Sequence, residues 1–544
     1  MSLFGSLWVG TSGLATSQNA LNTTAHNMMN ADTKGYTREQ VLQGTRRYTT
    51  IAVTPKAAAN QQVGMGVNYA RTEQIRDVFL DQAYRKESGR SSFYEASMNT
   101  MNQIEDILGE MDGADFNESL QDLWVAIQEL SKDPSGSTAQ GLLVTRAAQF
   151  IEHGASVYES IKMYQDQLNT TVSDMVDQIN DYAEEVYDLN KQIMKIESGD
   201  IERANDLRDR RNYILDQLGE LANITYEEDV YGAMSIRIEQ NDLLKGDMVF
   251  KIESYEDPQT AFFTPIWSDR VQRDTDGNIV LTEKNLREGQ VFDLQREIST
   301  EMDTDVGKLK AILLARGDHR ATFEDIPKEP VEADCKDFAE YEQKFMEYEA
   351  KVEQYNLTTA QSVCMNIMGE FDSLIHNICW NMNEVLNDSG YPSLFIPKTG
   401  SETNPDFYTS LNLQINPELT KQPSKLSFLK EDHQADYETA EKLKNIFEDE
   451  SYVLNPNVAM KVNLRFYYNS LVNQVGNSAS VYQSIYDSEQ MTLKGVEEAR
   501  QSVAGVSTDE ELQNMIMFQN AYNASSRYIT VVNSMLDYLM NSLR

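Results

Sequence analysis

Cysteine and histidine are scarce: 544 residues hold three cysteines and five histidines. Cys335, Cys364 and Cys379 are too few for a disulfide framework or a four-cysteine zinc site. The histidines, His26, His153, His319, His376 and His433, are scattered, and none falls in a zinc-protease or hydrolase motif. His376 and Cys379, three positions apart on one helix, with Cys364 from an earlier turn, come nearest to a ligand set. They offer three soft donors and no carboxylate in register, so core packing is the expected role and no metal is assigned. Basic charge is short as well, with 47 Lys and Arg against 86 Asp and Glu for a formal charge of −39. That balance excludes nucleic-acid binding by phosphate neutralisation and disfavours anionic membrane surfaces. The opening segment lacks the roughly 20 predominantly apolar residues of a spanning helix, and equally the basic start and apolar core of a cleavable signal. No nucleophile, base and orienter form a recognisable set, so neither an enzyme nor a cofactor is expected.

What the chain does have is an apolar residue every seventh position at both ends. The first stripe is Leu7, Leu14, Leu21 and Met28; the second is Met515, Tyr522, Ile529, Leu536 and Leu543. A period of seven keeps one seam on one side of a helix and makes paired helices supercoil. Residues 1–31 contain no Asp, Glu, Lys or Arg, and residues 512–544 carry only Arg527, Asp537 and Arg544. Helices so poor in charge are built to pack on helices, quite naturally on each other. Asn22, Thr23 and Thr24 are poor helix formers, so the first helix is marginal until something covers it.

Between the ends, residues 30–76 read as a turn-rich connector. Gly64-Met65-Gly66 lacks a third glycine, since Tyr69 stands there, and is a turn. Helical spacing follows from Arg71 to Leu108, breaks at Gly109 and Gly113, and resumes through Leu120, Trp124 and Leu130 as far as Asp133-Pro134-Ser135-Gly136. Leu168, Val172, Met175, Ile179, Tyr182, Val186, Leu189, Ile193 and Ile196 alternate spacings of four and three, which predicts a long helix from about Glu159 to Glu197. Met234, Ile236 and Ile238 alternate as a strand, and Asp274-Thr275-Asp276-Gly277-Asn278 reads as a hairpin turn. Its calcium-loop flavour fails because Asn285 stands where a bidentate Glu is needed. A Pro-containing acidic linker at 325–337 leads into Phe338, Tyr341, Phe345, Tyr348, Val352 and Tyr355 at helical spacing, and the helical pattern continues to Val385. Leu411, Leu413 and Ile415 alternate as a further strand, and residues from about Val462 onward are again helical.

The expected fold is mainly α with a β-rich insertion: terminal helices paired as a coiled coil, a helical rod-like domain, and outer β or mixed domains. The expected division is 1–60 with 500–544 as the terminal coiled-coil domain, and 61–225, 335–390 and 460–499 as the helical domain. A β-rich outer domain at 226–334 and a further irregular insertion at 391–459 complete it.

The stretch from Asn27 through Asn30, Thr33, Gly35 and Tyr36 to Arg38 resembles the N-terminal signature of bacterial flagellar rod, hook and hook-associated proteins. Asp509 and Glu510, followed by Gln519, Ala521 and Tyr522, are similar to the C-terminal signature of the same family. The Tyr36-Thr37-Arg38 ending resembles the hook–filament junction subfamily, as do Ile104 to Gly109, Asn205 to Arg210 and Gly307 to Arg316. Met28-Met29 departs from the usual Ile-Ala or Val-Ala pair, and the helix at 338–355 has no clear counterpart in the family. The resemblance implies a structural protein whose terminal helices form an inner tube, assembled as a ring after type III export into the extracellular flagellum. It implies as partners further copies of itself, the hook protein, hook-associated protein 3 and an export chaperone on the C-terminal helix. Another axial subunit (hook, rod or hook-associated protein 3) is the alternative, and a secreted enzyme on a flagellar scaffold the remote one.

Overall fold

The computed structural model describes residues 3–54, 59–109, 116–199, 202–275, 279–280, 282–331, 335–430 and 433–542, with the side chains of 51–54, 59–61 and 283 left aside. Leu543, Gly113, Leu281 and the Asp276-Gly277-Asn278 part of the hairpin turn lie outside the described residues.

Helix α1 (Leu3–Met29) is followed by a polar arm. In it β1 (Glu39–Thr45) pairs antiparallel with β4 (Val67–Gln74), and β2 (Thr49–Thr54) with β3 (Ala59–Val63). Helices α2 (Val78–Leu108), α3 (Phe116–Lys132), α4 (Ser137–Glu197) and α5 (Asn205–Leu221) come next. Strands β5 (Ile224–Glu228), β6 (Met234–Ile238), β7 (Asn241–Lys245) and β8 (Met248–Val249) form one antiparallel sheet, while β9 (Ile252–Glu256) pairs with β10 (Phe263–Trp267). Then follow α6 (Glu283–Gly289), α7 (Lys308–Arg316), α8 (Phe338–Leu357) and α9 (Val363–Asp388). Strand β11 (Phe395–Pro397) pairs with β12 (Leu413–Ile415), ahead of α10 (Pro417–Lys421), α11 (Tyr437–Glu448), α12 (Leu464–Ala504) and α13 (Thr508–Ser542). The chain divides into two compact units, the first Met1–Gly89, Gln178–Lys251 and Glu489–Arg544, the second Arg90–Asp177 and Ile252–Ser488.

Two elements differ from the expectation. The connector at 30–76 contains a paired-strand arm; with its polar residues it carries no alternating apolar face, so periodicity passes over it. Helix α4 begins at Ser137 and runs 61 residues, about 90 Å at ~1.5 Å per residue. Leu143, Ala147, Phe150 and Ile161 continue its buried face upstream, past the glycines that blur the pattern. The predicted seam itself is buried from Leu168 to Ile193 at every position but Tyr182, and it ends at Ile196, which is exposed. Asn285 closes the loop it was placed in: its amide accepts from the Gln272 backbone nitrogen at 2.7 Å and donates to the carbonyls of Gln272 and Val280.

The second unit is built on aromatic packing. Phe116 stands 4.8 Å from Tyr468, 5.0 Å from Phe371 and 5.4 Å from Phe150, between ring centroids. Helix α9 runs through this core, with Cys364 and Cys379 completely buried and His376 stacked on Phe323 at 3.6 Å. Burial pushes the His376 imidazole down to about 3 and the Cys364 thiol up to about 12, so both are neutral packing groups.

Glu370, on the same helix, is fully buried, and the side chains that hold it are amides: Asn366 at 3.0 Å, Asn455 at 2.5 Å and Gln474 at 3.2 Å all donate to its Oε1. Burial pushes this carboxyl up to about 7, and the amide donors only partly oppose it. A folded-state value above the unfolded one means the protonated form favours folding. That contribution is complete below the ordinary carboxylate range and is lost as pH rises through about 7. Glu370→Gln is expected to remove this slope and to raise stability at pH 8 by about 1–3 kcal/mol, measured by urea unfolding at pH 5 and pH 8.

Candidate assembly site

In the first unit α1 and α13 lie antiparallel, as the descending partners show: a Cβ on Gly10 would stand 2.7 Å from Ile529 Cγ1, and one on Gly13 would stand 2.8 Å from Ser525 Oγ. The buried stripe of α1 is made of small residues. Gly10, Ser17, Ala20, Thr24 and Asn27 are buried and Gly13 half-buried, at alternating spacings of three and four. Side chains this small let the two backbones come close. A second small surface carries the strand arm, since a Cβ on Gly66 would meet Ser12 Oγ and lie 3.2 Å from Val9 Cα.

The predicted stripe residues fall beside and across this contact. Leu7, Leu14, Leu21 and Met28 flank the small-residue stripe and are half-buried. Met515, Tyr522, Ile529 and Leu536 are half-buried and, with buried Glu511 and Val532, mark the covered face of α13. The opposite face is uncovered: Ile516 is 53% exposed, Val531 52%, Met535 53% and Tyr538 80%. On α1, Phe4 is 69% exposed and Trp8, with the Arg46 guanidinium 5.7 Å from its ring centroid, 57%. Exposed apolar side chains gathered on one face of a helix are the kind of surface that marks an interaction site.

The chain leaving α1 is locked by the signature residues. Asn27 makes three hydrogen bonds: Tyr36 donates its hydroxyl to Oδ1 at 2.7 Å, the Glu39 backbone nitrogen donates to the same atom at 3.0 Å, and Nδ2 donates to the Glu39 carbonyl at 2.8 Å. Asn30 donates to the His26 carbonyl and accepts from the Thr33 hydroxyl. Gly35 takes a φ of +79° and fits against Tyr213, where a Cβ would come within 3.2 Å. Burial and the carboxylates of Glu39 and Asp209 push the Tyr36 phenol well up, so it stays a donor. Arg38 reaches α13, donating from Nε to Glu511 at 2.9 Å and pairing with Glu510 at 3.2 Å, while its backbone nitrogen donates to the Ala504 carbonyl. Asp509, Gln519 and Ala521 are exposed.

Beneath this lock lies an ion network that no local spacing announces. The Thr37 nitrogen donates to Asp209; Arg76 approaches Asp209 at 3.8 Å and forks onto both oxygens of Asp81. Arg500 joins Asp81 at 3.0 Å to Asp216 at 2.7 Å, and Arg85 holds Asp216 from the other side. Burial raises the Asp209 carboxyl to about 6, with Thr37 and Arg76 pulling the other way. Burial also acts on Asp81, but the hydrogen bonds and charge of Arg76, with Arg500, hold it below the usual range. Arg85 and Asp216 are 131 positions apart and Asp216 and Arg500 are 284, so charged residues common everywhere in this sequence become specific only when folded. Among the described residues, His26, Glu39 and Asp206 are the one trio with metal-ligating atoms within 4.8 Å of one another. The Asn30 amide nitrogen lies 3.3 Å from His26 Nδ1; with that nitrogen accepting, the ring hydrogen sits on Nε2, 3.9 Å from Asp206, where it faces the carboxylate and offers no lone pair to a metal.

Comparison with known proteins finds relatives along the whole chain. Residues 101–315 match the flagellar hook-associated protein FlgK helical domain, residues 7–37 the flagella basal body rod protein, and residues 499–543 the flagellar basal body rod FlgEFG protein C-terminal region. Flagellar hook-associated protein 1 of Bacillus subtilis is 25% identical over 553 residues, spanning 100% of this chain and 99% of that protein. The protein of the same description from Salmonella typhimurium is 23% identical over 568 residues, covering 97% and 98%. The solved flagellar hook junction protein FlgK from Burkholderia pseudomallei shares the fold with a TM-score of 0.52 at 11% identity, over 78% of this chain and 100% of that one.

Arg38→Ala strands the Glu511 carboxylate, itself 2% exposed, and is expected to cost about 3 kcal/mol, read as faster hydrogen exchange at the start of α13. Gly10→Leu should force α1 and α13 apart at a cost of about 1–3 kcal/mol, visible as a lower unfolding midpoint, whereas the same change at Gly495, where an added Cβ meets nothing, should be nearly silent.

Proposed function

This chain belongs to the flagellar hook-associated protein 1 family, and on that premise we propose that it closes into a ring of subunits joining hook to filament. It is a structural component of the bacterial flagellum, acting outside the cell in motility. The observation that carries the ring assembly is the terminal helix pair, sealed on its inner seam and bare on its outer one. Leu7, Leu14, Leu21, Met28, Met515, Tyr522, Ile529 and Leu536 are the seam around which the pair forms, and Leu543 extends the stripe in sequence. The outer residues, Phe4, Trp8, Ile516, Val531, Met535 and Tyr538, then meet helices of the neighbouring copies in an inner tube. The hook protein and hook-associated protein 3 flank the ring, and a chaperone covers α13 before export, when its apolar face has no other cover. The role is mechanical and non-enzymatic, in keeping with a family of structural subunits.

Val531→Glu with Met535→Glu places charge on the uncovered face and leaves the α1 contact alone. The purified variant should match the parent in circular dichroism and unfolding midpoint but fail to attach filaments to hooks. Normal swimming by cells carrying only this variant would defeat the proposal. Deleting residues 1–30 or 512–544 should likewise leave a soluble, folded remainder unable to join filaments. Antibody labelling of isolated flagella should mark one level only, at the distal end of the hook; label along the hook, rod or filament would assign the chain to another axial position.

A further inference from the structure

Helix α8 is a part of the second unit for which the junction role gives no reason. Of its 20 residues only Tyr355 is buried, and Tyr355 ties the end of the helix to its own chain by donating its hydroxyl to Asn366 Oδ1 at 2.5 Å. Asp337 caps the other end, its carboxylate accepting from the Glu340 nitrogen at 2.8 Å. Along one face Phe338, Tyr341, Phe345 and Tyr348 form a ladder with successive ring centroids 6.3, 6.0 and 6.0 Å apart, and Val352 continues it. Phe338 is 68% exposed, and an open cleft of about 500 Å³ lies between Tyr348 and the Ile326, Pro327 and Pro330 side chains of its own chain. A solvent-facing helix does not need a row of aromatics; a helix with a partner does.

The charges beside the ladder identify the partner. With Phe338 at heptad position a, Tyr341 falls at d, Glu342 and Glu349 at e, and Lys344 and Lys351 at g. All four flanking residues are exposed. If two such helices run antiparallel, g meets g and e meets e, which opposes Lys to Lys and Glu to Glu. If they run parallel and in register, g meets the e of the following heptad, and Lys344 of each copy meets Glu349 of the other. We propose that α8 pairs with α8 of a second copy of this chain as a short parallel coiled coil. Copies side by side around a tube share one sense along its axis, which is the sense the charges select. The stripe is shorter than the three to four heptads, roughly, that sustain a free coiled coil, so pairing depends on the high local concentration of a ring. It therefore rests on the assembly reading.

The test uses the full-length chain with Cys335→Ser, leaving Cys364 and Cys379, both completely buried, as the remaining thiols. Phe338→Cys in this background should form a disulfide-linked dimer under mild oxidation at roughly millimolar protein, an effective concentration typical of short tethers. Gln343→Cys, on the outer face, is the control and should link more slowly. Adding Lys344→Glu or Glu349→Lys alone to the Phe338→Cys chain should slow its link by about fivefold, and mixing the two variants should restore it, because each mixed pair again joins opposite charges. Equal rates for Phe338→Cys and Gln343→Cys, indifference to the charge changes, or no rescue on mixing would each overturn the pairing. A preferred link between a Tyr341→Cys chain and a Val352→Cys chain, the d and a positions that an antiparallel pair sets opposite each other, would assign the antiparallel arrangement and overturn it too. Because the readout is in solution, a chain that cross-links as described but does not build flagella defeats the junction reading alone, and one that builds flagella without cross-linking defeats only the pairing.

Discussion

Gly10 and Gly13 set the distance between α1 and α13, and much else in the first unit depends on that distance. With no Cβ in the way, Ile529 and Ser525 settle against the α1 backbone itself. Two helices poor in charge gain little from ion pairs and must gain from packing, which falls off steeply with separation. Close approach on the inner seam is also what turns the large side chains of α13, Ile516, Val531 and Met535 among them, to the outside. The same contact that seals the inner seam thus leaves an exposed apolar face on the far side of α13.

The lock at Asn27, Tyr36 and Arg38 keeps the two distant ends in register. Asn27 ends the inner seam by fixing the chain's exit toward β1, and Arg38 then binds the first turn of α13 through Glu510 and Glu511. Acidic residues at that helix start are favoured by the helix dipole as well as by the arginine. Below it, the arginines at 76, 85 and 500 alternate with the aspartates at 81, 209 and 216. Each buried charge there has a partner of opposite sign, and the formal −39 of the whole chain is carried elsewhere.

Much of the helical architecture was legible in the sequence because periodicity reports directly on burial. The α4 seam from Leu168 to Ile193 is nearly continuous in burial, and α3 and α9 fall where their apolar spacings put them. The strand arm at 39–74 was not legible: its strands carry too few apolar residues to imprint a period of two. The seven-residue stripes at the ends announced paired helices, yet the residues buried on α1 are glycine, serine, alanine, threonine and one asparagine, which carry no apolar hydropathy signal. The signature at Asn27 to Arg38 came from resemblance; its physical content, an amide with three hydrogen bonds and a bridging guanidinium, became visible only with the fold.

By itself the sequence determined that this chain would have low-charge helical ends, a long internal helix, no recognisable catalytic set and a strongly acidic surface, since each of these is a property of composition or spacing along one stretch. It also determined the flagellar kinship, through short motifs at both ends. Tertiary structure alone decided which face of each terminal helix is sealed and which is left bare, because that choice turns on how closely Gly10 can approach Ile529. It alone decided which of 133 charged residues, 47 basic and 86 acidic, pair in the buried network, since partners such as Asp216 and Arg500 meet only when segments hundreds of residues apart are folded against one another.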